Sequence, residues 1–149
     1  MLIRSLSFVP VVPFLMSLAV TGCGSGDYVA SVEPTVPAAG VISYQGKPLD
    51  FYRVNFLPVG KRPAAAVTDA NGTFVLGTNA VGDGAVAGRH VVTVEYVGPP
   101  VNEEPGKETF TLPPEPKVKV PPKFSSVEAS GLVIEIPESG DANLAINID

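Results

Sequence analysis

Seven short segments of this chain alternate apolar and polar residues with a period of two, and no window carries the 3.6-residue period of a long amphipathic helix. Ile42 and Tyr44 alternate with Val41 and Ser43; Tyr52, Val54 and Phe56 with Arg53 and Asn55; Phe74 and Leu76 with Thr73 and Val75. Val92, Val94 and Tyr96 alternate with Thr93 and Glu95; Leu132, Ile134 and Ile136 with Val133 and Glu135; Leu144, Ile146 and Ile148 with Ala145 and Asn147; Ala66 to Thr68 is a shorter candidate. Successive side chains of a strand point to opposite faces, so each segment offers one face to a core. With 16 Pro and 15 Gly in 149 residues the chain is rich in turn formers. Many short strands separated by such residues predict an all-β fold, a single antiparallel seven-stranded β-sandwich.

The turns carry their own chemistry. Gln45-Gly46-Lys47-Pro48 joins the first two segments. Asp69-Ala70-Asn71-Gly72 is a strong hairpin signal, because Asn-Gly tolerates positive φ. Glu138-Ser139-Gly140-Asp141 is expected to close the last hairpin, and Gly82-Asp83-Gly84 with Gly88 marks a loop before the fifth segment. The stretch 98–122 differs: it is crowded with Pro, Glu and Lys, and reads as a long exposed excursion with one edge strand at Glu108–Leu112.

The N-terminus has another pattern. Arg4 is the one charge in residues 1–22, and an apolar run follows from Leu6 to Val20. A spanning helix needs about 20 apolar residues, and Pro10 and Pro13 interrupt this shorter run. A positive start, a short apolar run and small residues before a cut mark a secretory signal. The run ends Val20-Thr21-Gly22-Cys23, which resembles a lipobox, with Val20 at the place where Leu is usual. In that motif the cysteine thiol accepts a diacylglyceryl group, the small residue at Gly22 admits the peptidase, and Cys23 becomes the mature N-terminus. Two or three acyl chains hold a protein stably at a membrane where one is marginal. Cys23 is the only cysteine, so it has no disulfide partner within the chain. The organisation predicted is a signal peptide over 1–22, a lipidated cysteine with a flexible Gly/Ser/Pro tether over 23–38, and one domain over 39–149.

The formal net charge is −5, and loss of Arg4 with the signal makes the mature chain more acidic still. That disfavours nucleic acid and anionic lipid surfaces as partners.

With the strands placed, a resemblance emerges. Gly40-Val-Ile-Ser-Tyr-Gln-Gly-Lys-Pro-Leu49, Val54-Asn-Phe-Leu-Pro58, Thr68-Asp-Ala-Asn-Gly-Thr-Phe74, Gly82-Asp-Gly84 and Gly88-Arg-His-Val-Val-Thr-Val94 follow one another in order. Pro121-Pro-Lys-Phe124, Ser130-Gly-Leu132 and the final strand pair complete the set. The chain thereby resembles the small lipoproteins abundant in planctomycete bacteria that carry a carboxypeptidase-regulatory-like, transthyretin-like β-domain. The resemblance implies a transthyretin-like or Ig-like sandwich over residues 39–149. It rests on turn glycines and strand residues, so it specifies fold and not chemistry.

Nucleophile and base pairings fail on inventory. His90 is the only histidine and sits beside Arg89 at the start of a strand, which reads as a surface residue. The transthyretin-related hydroxyisourate hydrolases need several histidines and a Tyr-Arg-Gly-Ser-like tail, whereas this chain ends Ile146-Asn-Ile-Asp149. Zinc lacks ligands. Asp69 and Asn71 resemble the start of an oxygen-ligand calcium loop, but the next residues lead straight into a strand and position 80 is Ala; Asp83 is a comparable weak metal candidate. Glu103, Glu104 and Glu108 read as a solvated acidic run. The sequence thus predicts a non-enzymatic, lipid-anchored structural or binding module of the cell envelope, on the periplasmic or outer-membrane face. No cofactor is expected beyond the lipid on Cys23. The partners expected are a membrane, through that lipid, and an envelope protein or glycan, with no nucleic acid. The alternative is a secreted β-domain that binds carbohydrate or protein, for which Tyr28 and Tyr52 are the aromatic candidates; a calcium-binding module ranks lower.

Overall fold

Alternation turns into strands along most of its length. In the computed structural model, which describes residues 32–100 and 112–149, the strands are β1 (Ala38–Tyr44), β2 (Lys47–Pro48), β3 (Tyr52–Pro58), β4 (Ala64–Val67), β5 (Thr73–Val75), β6 (Gly88–Tyr96), β7 (Leu132–Ile136) and β8 (Asp141–Ile148). A single 3-10 turn, Pro122–Ser125, precedes β7, and there is no α-helix among the described residues. Each predicted segment contains a strand, although Thr68 and Leu76 fall just past the ends of β4 and β5, and the two-residue β2 after the first turn brings the count to eight where seven were expected.

The strands form two sheets. In the first, β8 runs along one edge of β1, and β5 and β2 share the other edge. The second has the order β4-β3-β6-β7 and is antiparallel throughout. An all-antiparallel arrangement was expected, and β1 with β8 departs from it: they pair in parallel, Gly40 opposite Leu144 and Tyr44 opposite Ile148.

The turns explain that departure. Gln45 (φ 50) and Gly46 (φ 75) both have positive φ, as a two-residue type I′ hairpin requires, and they join β1 to β2. The chain then leaves the sheet through Leu49–Phe51 and enters β3 in the other one. Asp69–Gly72 likewise carries the chain from β4 in the second sheet to β5 in the first. Pro137–Gly140 carries it from β7 to β8, so the hairpin expected at Glu138–Asp141 is a change of sheet. Turn residues reverse the chain; they do not choose the strand it pairs with next.

The inward residues of both sheets form one buried cluster. Ile42, Phe74, Leu144, Ile146 and Ile148 come from the first sheet, and Tyr52, Val54, Phe56, Val92, Val94 and Ile136 from the second. The rings of Phe56 and Phe74 meet between the sheets at 6.0 Å. Each such side chain contributes about 2 kcal/mol by leaving water.

Two boundaries shift. Residues 33–38 were expected in the tether, yet Val36 exchanges backbone hydrogen bonds with Ala85 at 2.8 and 3.0 Å, and the Pro37 carbonyl accepts from Asp141 N at 2.8 Å. Ala38 is already buried. Backbone bonds thus tie these residues to the loop at Ala85 and to the start of β8. The excursion is also shorter on its exposed side. Residues 101–111, with most of the expected edge strand and the acidic run, lie outside the described residues, and Leu112 is exposed without strand pairing. From Lys117 onward the chain returns: Val118 and Val120 pack on the core, Phe124 is buried, and the Tyr52 hydroxyl donates to the Val118 carbonyl.

Candidate functional site

Asp69 and Asp83 sit in turns and use their carboxylates on the backbone. Asp69 Oδ1 accepts from Asn71 N at 2.8 Å and Thr73 N at 2.9 Å. The N–H groups of Thr73 and Asn71 hold its carboxyl below the usual range. Asp83 Oδ1 accepts from Thr78 N at 2.7 Å, and Oδ2 from Asn79 N at 3.0 Å. Its carboxyl is lowered by the Thr78 N–H, against a smaller opposing effect of burial and with help from Asn79. Asn71 contributes its backbone N–H to the Asp69 turn. Gly72, with φ 75, supplies the left-handed residue that the turn requires. Among the described residues, no three His, Cys, Asp or Glu side chains gather in a way that could hold a metal ion. The three metal candidates therefore have a visible structural occupation, and the structure does not bring them together into one ligand set.

His90 is buried rather than at the surface. Its Nε2 lies 2.7 Å from the Val86 carbonyl, an acceptor only, so Nε2 carries the hydrogen and donates. Nδ1 is buried with no hydrogen-bond partner among the described residues, and the ring stands edge-on to Phe56 at 5.8 Å. The sequence held a signal for this burial: His90 is in phase with Val92 and Val94 on β6.

Tyr52, the described aromatic candidate for carbohydrate stacking, is only 2% exposed. Its ring packs on Tyr96 at 5.2 Å, and burial raises its hydroxyl pKa. So little exposed, the ring offers no open face for a sugar to stack on. Tyr28 and the lipobox residues Val20, Thr21, Gly22 and Cys23 lie outside the described residues.

Sequence reasoning missed two polar anchors beside Tyr52. The buried Thr68 hydroxyl donates to the Leu49 carbonyl at 2.6 Å and accepts from Tyr52 N at 2.8 Å. Asp50, 8% exposed in its side chain, pairs with Lys117 at 2.7 Å, which ties the returning segment to the corner before β3. No local motif marks a contact between residues so far apart in sequence.

An open groove of about 780 Å³ lies beside β4 and β5. Val67, Val75 and Val81 expose apolar surface there, and Arg53, Asp69 and Asn79 supply the polar groups. Such a lining suits contact with a mixed protein surface. It offers no nucleophile held by a base. No family model, curated protein or solved structure matches this chain.

Proposed function

We propose that this chain is a lipid-anchored protein of the bacterial cell envelope, with a non-enzymatic structural or binding module facing the periplasm or the outer-membrane side. The observation that carries the reading is the sequence Val20-Thr21-Gly22-Cys23 at the end of a short apolar run opened by Arg4. Cys23 then carries the only covalent group, an acylated glyceryl thioether, and the membrane is the first partner. The two sheets are read as the layers of a seven-stranded transthyretin-like or Ig-like sandwich, with β2 as an extension of the first turn.

The non-enzymatic reading draws on how the polar side chains are used. Asp69, Asp83, Thr68 and His90 are each engaged on backbone groups, which is how a scaffold uses them. For the second partner we favour an envelope protein over a glycan. The groove beside β4 and β5 exposes valines, and its one aromatic, Phe74, is buried. The acidic net charge speaks against nucleic acid.

Mass spectrometry of the intact native protein and of its N-terminal peptide, beside a Cys23→Ser variant, tests the anchor. The expected result is a mature chain beginning at Cys23 with added acyl mass, lost in the variant. An unmodified chain cut elsewhere would make this a secreted β-domain instead.

A further inference from the structure

We propose that β8 is a self-association edge, on which a second copy of this chain adds its own β8 in antiparallel orientation across a two-fold axis. Among the described residues β8 pairs with β1 alone. The Ile148 carbonyl accepts from Gln45 N at 2.8 Å, on the β1 side. Residues of a parallel strand alternate between its two edges, so Leu144, Ile146 and Ile148 bond toward β1. Ala145 and Asn147 consequently direct their N–H and C=O groups to the free edge. Unpaired edge groups of this kind are a template for another strand.

Both edges of the second sheet are less suited, and in the first sheet β2 and β5 are only two and three residues long. β4 is already bridged to Gly77, whose carbonyl accepts from Ala65 N at 3.0 Å. β7 is shorter and carries Glu135. From Ala142 to Ile148, β8 has no charge, no lysine and no proline, which are the usual guards of an exposed edge. Its one irregularity is the register shift against Ala38 and Gly40 near its start.

Charge argues for a second copy as the occupant. The chain is acidic, so two copies repel over most of their surfaces. The outward face next to β8 is uncharged: Ala39, Val41 and Ser43 on β1, Thr73 and Val75 on β5. The outward face of the second sheet instead carries Arg53, Glu95, Arg89 and Glu135. An axis at Ile146 sets core-facing Leu144 opposite Ile148 of the second copy and Ala145 opposite its Asn147. It keeps Asp141 and Asp149 of the two copies from facing each other, which an axis at Ala145 would not. Opposed residues of an antiparallel pair share a face, and this register satisfies that rule.

Two measurements test the edge. Analytical ultracentrifugation of the purified protein over a concentration series should show a reversible monomer–dimer equilibrium. Ala145→Pro removes an N–H that β1 does not use, at an edge position that tolerates proline, and should weaken the dimer by about tenfold or more. Amide hydrogen exchange on the unsubstituted protein needs no variant to fold: protection at Ala145 and Asn147 should rise with protein concentration. A monomer at every concentration, or a dimer indifferent to Ala145→Pro, would overturn the proposal. So would concentration-independent exchange at those amides, which would mean that the edge stays open or that another part of the same chain covers it.

Discussion

Asp69 and Asp83 act on the backbone as acceptors, and that ties their protonation to the fold. Both carboxyls lie below the ordinary aspartate value of 3.8 because backbone N–H groups stabilise the charged form. A carboxyl depressed in the folded state stabilises the fold above its unfolded value, and that contribution is lost as pH falls through the folded one. Stability should therefore decline as pH drops below about 4, and an Asp69→Asn, Asp83→Asn double variant should show a flatter decline in thermal melts across the acid range. Thr68 is a neutral anchor with a sharper effect. Thr68→Val keeps the shape and strands both the Leu49 carbonyl and the Tyr52 N–H, which should cost about 2 kcal/mol in urea unfolding. Residue identity announced the turn role of Asp69, since Asp-x-Asn-Gly is local chemistry. It announced nothing of Thr68, whose partners lie 19 and 16 residues away.

Among the elements, β1 and β8 depend on a missing side chain. A Cβ on Gly40 would lie 2.1 Å from the Leu144 carbonyl oxygen, so the strands approach this closely only with glycine there. Gly40→Ala should cost about 3 kcal/mol by forcing the pair apart, measured by denaturant unfolding. Gly46 makes the useful contrast: it has open space around it and φ 75, so Gly46→Ala should cost only about 1 kcal/mol, from backbone conformation alone. The returning segment is held from β3. Tyr52→Phe removes the bond to the Val118 carbonyl and should raise amide exchange across residues 117–120 while the strands keep their protection. Strand positions were legible because period two is written into each segment separately. Strand partners were not, because the residues at 45–48, 69–72 and 138–141 specify a reversal and are silent on which sheet receives the chain. The parallel β1–β8 pair and the docking of Val118 and Val120 belong to that second kind: both arise from contacts distant in sequence. The site was less legible than the fold for the same reason. His90 and Tyr52 were read by residue type, as surface and as ligand-facing, where their phase in β6 and β3 placed both in the core.

The two sheets share one buried core among the described residues, and the chain has a single cysteine, so neither sheet has a separate means of staying folded. Phe56 touches both layers of that core, meeting Phe74 from the first sheet and His90 within its own. Both sheets contribute side chains to that one cluster, and Val118, Val120 and Phe124 are seated on it as well. Unfolding should therefore be a single cooperative transition, with fluorescence of the tyrosines and far-UV circular dichroism changing together. Domains of this size are stable by about 5–15 kcal/mol, and Phe56→Ala should remove about 4 kcal/mol of that. The urea midpoint should fall steeply while the slope of the transition, set by the surface exposed, stays as it was. If the sheets instead held themselves separately, Phe56→Ala would split the transition in two and lower the slope of each part.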